Sequence, residues 1–596
     1  MAEFAVVAMP RVSPIATSFN AGEWADYMAG RVDLQKYSSA CRSLRNMIPM
    51  PQGAATRRPG FRFVAASKDN ADGILIPFKF STVQAYIIEA TDLKFRFYKD
   101  KGRIETPPGT PYEVTTPYAL ADLPDLQWVQ STDTLYLVHP KYAPRKLTRS
   151  GHTSWTLTAI SFTATPAQWT GTNYPGAVAI HQGRLFLAGT PAEPDTIWGS
   201  KSNDFENMTT GANDDDAVKF TIADGEVNKI QWLVSSRRAL LVGTAGGEFS
   251  ARGSGTNSKI VPNDIEVSPE TQNGSARIAP VRANGATIYC QFARRQLFEM
   301  VYSFQEDAQI SPELSLLARH VPRAGIRCMA WQRTPWSAIW MSLDDGALAA
   351  VTYMRDQQVV GWHRHPVGGT DAQVRSVACI PGTGQEELWA LVARTIDGTT
   401  KRYVEVMENE FIAPANRKAD DAFFVDSGLT YSGAAVSTVT GADHLKGQTV
   451  QILADGATHP DVTVAADGSI TLTRTASKIH AGLKFVSRLE TLPFEAGAVN
   501  GTAQTKTTRV SRVGVRFVDT LGAKVGIDEN DPTTMEEVFF RLPSDPMGSP
   551  PLLFTGIKKV NFPGDWEDEA VVRAVQDQPL PMTIAAMVPL IQTNDG

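Results

Sequence analysis

The stretch Asn46–Val64, NMIPMPQGAATRRPGFRFV, sets two adjacent arginines, Arg57 and Arg58, between a Pro/Gly/Ala-rich loop and the turn pair Pro59-Gly60. Guanidinium groups make charge-assisted, forked hydrogen bonds to carboxylates and carbonyl oxygens. Gly53 and the Pro59-Gly60 turn would fix the path of the loop that carries them. Gly53, Arg57, Arg58, Pro59 and Gly60 therefore form one candidate unit. Two readings of it are open: an anchor at an interface with another chain, or a brace that holds the N-terminal segment against its own body.

The remaining chemistry-bearing residues give weaker signals. His363 and His365 in WHRHP alternate along a strand and so share a face, but no third metal ligand accompanies them and packing histidines are expected. The acidic runs NDDDA (Asn213–Ala217) and DENDP (Asp528–Pro532) offer oxygen ligands without the spacing of a calcium loop, so they read as solvated turns. The glycine-rich GTAGGEFSARGSG (Gly243–Gly255) lacks a βαβ context and reads as an inter-strand loop. Phosphate-loop, zinc-helix and nucleophile-elbow patterns are absent from the sequence. The expectation is a protein without catalytic, cofactor or metal sites, and not an enzyme.

The 596-residue chain is 42% hydrophobic and 20% charged, with a formal net charge of −6. This is a globular composition, and its charge argues against general affinity for nucleic acid. Cys41, Cys290, Cys328 and Cys379 are scattered without a C-x-x-C pair, as suits free thiols in a reducing cytoplasm. The N-terminus lacks the charge and apolar pattern of a signal peptide, and no run is long and apolar enough for a membrane-spanning helix. The chain is expected to be soluble where it is made.

The elements that must position these residues are strands. Helical periodicity is confined to Leu34–Arg45 and a turn near Ala119–Leu123. Elsewhere, runs of four to eight Val-, Ile-, Phe-, Tyr-, Trp- and Thr-rich residues are bounded by Gly, Asp, Asn and Pro, which predicts an all-β protein. Paired runs recur in one frame, with starts at Phe78, Trp128, Ile180, Trp232, Val281, Trp331 and Val377. A period near 50 residues with paired short strands predicts a β-propeller of about seven blades. Residues 71–427 form this body and residues 1–70 an N-terminal assembly segment. Residues 428–500, rich in Thr, Ala, Val and Gly and marked by Asp455-Gly456 and Asp467-Gly468 turns, predict a small inserted β-sandwich or barrel. Residues 501–596 return to strands that either close the ring with N-terminal strands or form a platform.

The segment Ser18–Val64 resembles the N-terminus of the tail nozzle (tail tubular protein B) family of short-tailed bacteriophages and related prophages. The resemblance rests on F-N-x-G-E-W, G-R-x-D-L-x-K-Y and I-P-x-x-Q-G-x-A-T-R-R-P-G, with weaker likeness in HLKGQTVQILADGATHPDVTV and PLPMTIAAMVP. It implies a structural protein of the virion tail, made in the host cytoplasm. Its members form a homohexameric ring around a propeller body at the distal tail end. The ring docks on an adaptor ring below the portal, holds fibres or spikes and leaves an axial channel for DNA, without sequence-specific binding. The alternative is a virion-associated propeller that binds or hydrolyses glycans; a cellular peptide-binding scaffold ranks below both.

Overall fold

The computed structural model describes residues 11–223, 225, 229–254, 259–495, 502–541, 543, 545–546 and 548–594. The first ten residues, Gly255 of the glycine-rich stretch and the end of the inserted segment at 496–500 lie outside them. Its centre is a seven-bladed β-propeller. The innermost strands of the blades are Ile74–Lys79, Gln127–Ser131, Ala177–His181, Ile230–Ser235, Val281–Ala283, Ile326–Gln332 and Thr370–Pro381. All seven starts of the sequence frame fall inside them. The frame was legible because each inner strand opens a short antiparallel meander that must bury both faces against its neighbours.

Seven apolar clusters fill the seven gaps between blades. Phe78, Tyr86, Leu135 and Trp155 lie between blades 1 and 2. Tyr136, Trp169, Leu187 and Trp198 fill the next gap, and the sequence runs round to Trp340, Val374 and Leu388 between blades 6 and 7. The last cluster joins Leu75 and Ile87 of blade 1 to Trp389, Leu391 and Val406 of blade 7, so the ring is closed.

Closure uses an N-terminal strand. Blade 7 takes its three inner strands, Thr370–Pro381, Glu386–Ile396 and Thr399–Met407, from the end of the body. Its fourth is Phe61–Ala66, antiparallel to Thr399–Met407 with Val406 opposite Arg62. The C-terminal strands do not close the ring. Thr507–Thr520 and Thr583–Asn594 pair along their length and join Met47–Pro49, Ala55–Arg57 and Phe554–Asn561 in a platform sheet. A second sheet grows from the outer edge of blade 6: Gly22–Glu23, Ala40–Arg45, Ser487–Thr491, Arg573–Gln576, Lys524–Gly526 and Met535–Glu537 follow Val359–Arg364. Phe19, Leu44, Met47, Leu489, Val515, Phe517 and Met587 are among the residues packed in the platform core.

Leu34–Arg45 is not helical. It contains one 3-10 turn, Tyr37–Ser39, and the strand Ala40–Arg45, which is captured between blade 6 and Ser487–Thr491. Tertiary pairing here overrides local periodicity. Leu120–Asp125 is a 3-10 segment, where the sequence placed a turn.

The small β domain comprises Asp426–Val439, Thr449–Ala454, Ala457–Thr463 and Ile470–Leu483, a bent antiparallel sheet around Leu445, Val450, Ile452, Ile470 and Ile479. Ile396 and Tyr403 of blade 7 complete that core. Asp455-Gly456, both at positive φ, make the two-residue hairpin expected of an Asp-Gly pair. The turn at Gly468 instead leads between strands that are not neighbours in the sheet.

Candidate assembly site

The propeller, the platform and the small domain meet at the Arg57-Arg58 loop. Asn46, at φ 53°, a left-handed geometry that Asn tolerates better than most residues, is the single residue between the strands Ala40–Arg45 and Met47–Pro49, which belong to different sheets. Gly53, at φ 114°, forms the tip of the next hairpin. A Cβ there would lie 3.1 Å from Ser18 Oγ. Gly60 passes so close to the chain at Val425 that a Cβ would come within 2.0 Å of the Val425 carbonyl oxygen. Its amide donates to Phe423 O and its carbonyl accepts from Glu408 N. Glycine is required at Gly60 by contact rather than by φ.

Arg57 and Arg58 are buried, as are Gly53, Pro59 and Gly60. Arg58 holds Asp426 in a forked ion pair, Nη1 to Oδ1 at 2.8 Å and Nη2 to Oδ2 at 2.7 Å. Its Nε donates to Asn46 Oδ1 at 2.8 Å, and the Asn46 amide donates in turn to the carbonyls of Pro366 and Val486. Asp426 also accepts from Phe61 N and Gly368 N at 3.1 and 2.7 Å. Burial alone would raise the Asp426 carboxyl; Arg58 outweighs it and holds the group below its ordinary value. The Gly368 carbonyl accepts from Arg394 Nε at 2.6 Å, and Arg394 forks onto Glu405. Two buried ion pairs thus share one residue, Gly368, through its amide and its carbonyl.

Arg57 points the other way, into the platform. It donates to the carbonyls of Gln578, Leu580 and Phe485 and lies over the rings of Phe424 and Phe485. Burial, with repulsion from Arg58, pushes it down to about 9, still protonated at neutral pH. The two side chains therefore brace the segment within the chain; neither guanidinium is exposed to a neighbouring molecule.

The rest of the N-terminal motif does related work. Gly22, at φ 73°, lets the backbone pair with Trp362, where a Cβ would be 2.3 Å from the Trp362 nitrogen. Fully buried Glu23 accepts from Leu44 N at 2.9 Å and His320 Nε2 at 2.7 Å and pairs with Arg364. Trp24 packs on Tyr37. Tyr37 Oη donates to Ala29 O at 2.7 Å. By contrast Arg31 and Asp33 pair only with each other at the surface, and Tyr27 is 95% exposed.

Sequence reasoning missed Asp426, Glu23 and the Arg394–Glu405 pair. The available signal was a carboxylate set directly after an apolar run, as in Phe423-Phe424-Val425-Asp426.

The other candidates are packed rather than open. His363 and His365 are fully buried, contact each other through Nδ1 and Nε2, and His363 Nε2 lies 3.2 Å from Thr352 Oγ1. Burial pushes His363 down to about 3. The acidic turn at Asn213–Ala217 wraps cations: Arg184 donates to the carbonyls of Asp214 and Asp216, and Lys201 pairs with Asp215 and Asp216. Asp528 pairs with Arg573, and Asp531 caps the 3-10 turn after it. Among the described residues no three His, Cys, Asp or Glu side chains converge as metal ligands, and no helix is long and apolar enough to cross a membrane. All four cysteines are free.

The propeller axis is crossed by side chains at the mouth where the inner strands begin. Arg277, from the connection into blade 5, reaches Asp125 and the Gly176 carbonyl at the entries of blades 2 and 3. Gln127 Nε2 donates to Gln231 O at 2.7 Å, tying blade 2 to blade 4. Asp72 lies between Arg327 and Arg375 of blades 6 and 7.

No protein-family model matches the chain, and no curated protein matches it in sequence. Among solved structures it is similar to the WD40 domain of Neurospora crassa Pan2, at 9% identity over 57% of this chain and 90% of that one (TM-score 0.34). It is also similar to U3-55K, at 9% over 59% and 100% (TM-score 0.38), and to Chaetomium thermophilum Raptor, at 9% over 63% and 30% (TM-score 0.38). Likeness at this level carries no argument about function.

Proposed function

We propose that this chain is a non-enzymatic structural protein of a short phage tail, the nozzle, acting as a homohexameric ring at the distal end and docked on the adaptor ring below the portal. The observation that supports the reading most is where the motif residues go. Phe19–Glu23 and Ala40–Gly60 join propeller and platform, and Glu23, Asn46, Arg57 and Arg58 are all buried in that junction. A part that transmits force along a tail needs such a junction, whereas a hydrolase needs convergent carboxylates in an open site. Because side chains cross the propeller axis, the DNA path in this proposal runs between copies, along the ring axis. The net charge of −6 per chain would limit DNA sticking to such a wall.

Mass photometry and electron microscopy of the purified chain, alone and with portal–adaptor complexes, test the proposal. A sixfold ring with an axial hole is the expected result. A persistent monomer that ignores the adaptor, together with release of reducing ends from capsular or lipopolysaccharide glycans, would overturn it in favour of the glycan-hydrolysing alternative. Fibre or spike attachment is checked on the same assemblies.

A further inference from the structure

The gap between blades 4 and 5 ends in an open cleft. Trp232 and Leu241 of blade 4 share an apolar cluster with Phe298 and Met300 on the blade 5 strand Leu297–Ser303. Tyr302 continues that face, because alternate residues of a strand share a side, and Gln309 is directly opposite it on the next strand. The turn Ser236–Ala239 of blade 4 lines the cleft together with Asp307 and Ala308 of blade 5, and the space they enclose is about 270 Å³. Glu270, from the outermost strand of blade 4, also lines it and accepts from Ser250 Oγ at 2.5 Å and from the Gln309 backbone nitrogen at 2.7 Å. One carboxylate thus ties the two blades together within the cleft.

Gln309 is 9% exposed, yet its carboxamide makes no hydrogen bond within the described residues, and neither of its polar atoms is sealed from water. Three arginines of the lining, Arg237, Arg238 and Arg252, likewise donate no hydrogen bond within the described residues. Arg238 lies 5.8 Å from the Tyr302 ring centroid, Arg252 is 3.6 Å from Glu266, and Arg237 and Arg238 are exposed at the rim. The two carboxylates of the lining are engaged elsewhere, Glu270 as above and Asp307 by Tyr302 Oη at 2.7 Å. An inorganic oxyanion would satisfy the arginines but offer nothing to the Gln309 carbonyl oxygen or the remaining lone pairs of Glu270. A ring that carries a carboxylate and hydroxyls, which donate as well as accept, satisfies all of them, and Tyr302 gives it an apolar face. Ligand pockets run from about 300 to 1,000 Å³, so this smaller one has room for a single sugar ring.

We propose that this cleft binds a hexuronate, one carboxylated pyranose residue of an acidic glycan, with Gln309 and Glu270 on its hydroxyls, Arg237 and Arg238 on its carboxylate and Tyr302 against its ring. Every residue of the site comes from one chain. It therefore goes beyond the tail role proposed above without depending on ring assembly, and either reading stands if the other fails.

Saturation-transfer NMR titration of the full chain with methyl β-D-glucuronide, methyl β-D-glucoside and sodium acetate, at matched ionic strength, tests the assignment. The expected result is saturable binding of the glucuronide, with the glucoside and acetate each weaker by roughly tenfold or more, the value of one charge-assisted hydrogen bond. Arg237→Gln combined with Arg238→Gln should bring the glucuronide down to the level of the glucoside and leave the glucoside unchanged. Gln309→Met should weaken both sugars by roughly fivefold or more, while its melting temperature stays equal or rises because an unpaired carboxamide is removed. Absence of saturable glucuronide binding by the parent chain, equal affinity for the two sugars, acetate binding as tight as the glucuronide, or unchanged binding by either variant would each overturn the proposal.

Discussion

Asp426→Asn is the substitution from which the junction predicts most. Asp426 and Arg58 are both fully buried and joined by two hydrogen bonds of 2.8 and 2.7 Å. The amide removes the negative charge, turns an –NH₂ group toward the guanidinium in either orientation and also toward the Phe61 or the Gly368 amide, and leaves a cation without a counter-ion. Breaking a buried pair in this way costs about 3–5 kcal/mol. The loss should be matched by Arg58→Met, which strands the carboxylate. Replacing both, as Arg58→Met with Asp426→Leu, should recover at least about 2 kcal/mol relative to the sum of the single changes, because a buried pair swapped for apolar groups is often neutral. The assay is guanidinium denaturation followed by tryptophan fluorescence and, separately, by limited proteolysis of the small domain, since a body of this size need not unfold in one step. Acid should have the same effect as Asp426→Asn. The folded carboxyl lies below its unfolded value, so its contribution is present above the unfolded pKa, about 3.9, and is lost as pH falls through the folded one. Single variants that stay within about 1 kcal/mol of the parent, or a double variant no better than their sum, would refute the account of the junction as a coupled network.

Gly60→Ala should destabilise by about 1–3 kcal/mol or more, because its Cβ meets the Val425 carbonyl carbon-to-oxygen at 2.0 Å and the closing strand begins at the next residue; proteolytic release of residues before Lys68 is the readout, and a variant as resistant as the parent would contradict it. Buried and half-buried histidines are held neutral: desolvation pushes buried His363 down to about 3, buried His181 and His480 to about 4, and half-buried His444 to about 4. Their stabilisation is complete above the unfolded value near 6.5 and falls as pH drops below it, by up to about 1.4 kcal/mol per pH unit for each group. Denaturation midpoints should therefore decline between pH 6.5 and 5, well before the carboxylates titrate, and a flat profile to pH 5 would refute the assignment.

The propeller was readable in the sequence because its blades repeat. Phe78, Trp128, Trp232 and Trp331 all lie on innermost strands, and Ile88, Val138, Val242 and Met341 all lie on the second strands that follow them. The Asp455-Gly456 hairpin was readable as a turn pair between alternating strands. The junction was only half readable. Its residues could be named as a unit, since Gly53, Pro59 and Gly60 are turn formers and paired arginines seek oxygen. What they seek lies far along the chain: Asp426 is 368 residues from Arg58, and Gln578 is 521 from Arg57. Neither distance leaves a local trace. The strand Ala40–Arg45 was hidden for the same reason, because its partners Val359–Arg364 and Ser487–Thr491 are supplied by other parts of the chain.

Those separations say how the molecule must be put together. Phe61–Ala66 completes blade 7, yet its partner strand ends at Met407, so the ring stays open until the whole propeller has been made. Asp426 then follows within about twenty residues and receives both Arg58 and the Phe61 amide. The N-terminal segment is therefore fixed twice, once by sheet pairing and once by charge, at nearly the same point in the chain. The platform cannot form earlier, because Ala55–Arg57 pairs with Thr583–Asn594. A protein whose two ends are joined through one buried loop transmits a load on the platform directly to blade 7. That coupling uses both arginines within the chain, Arg57 toward the platform carbonyls and Arg58 toward Asp426.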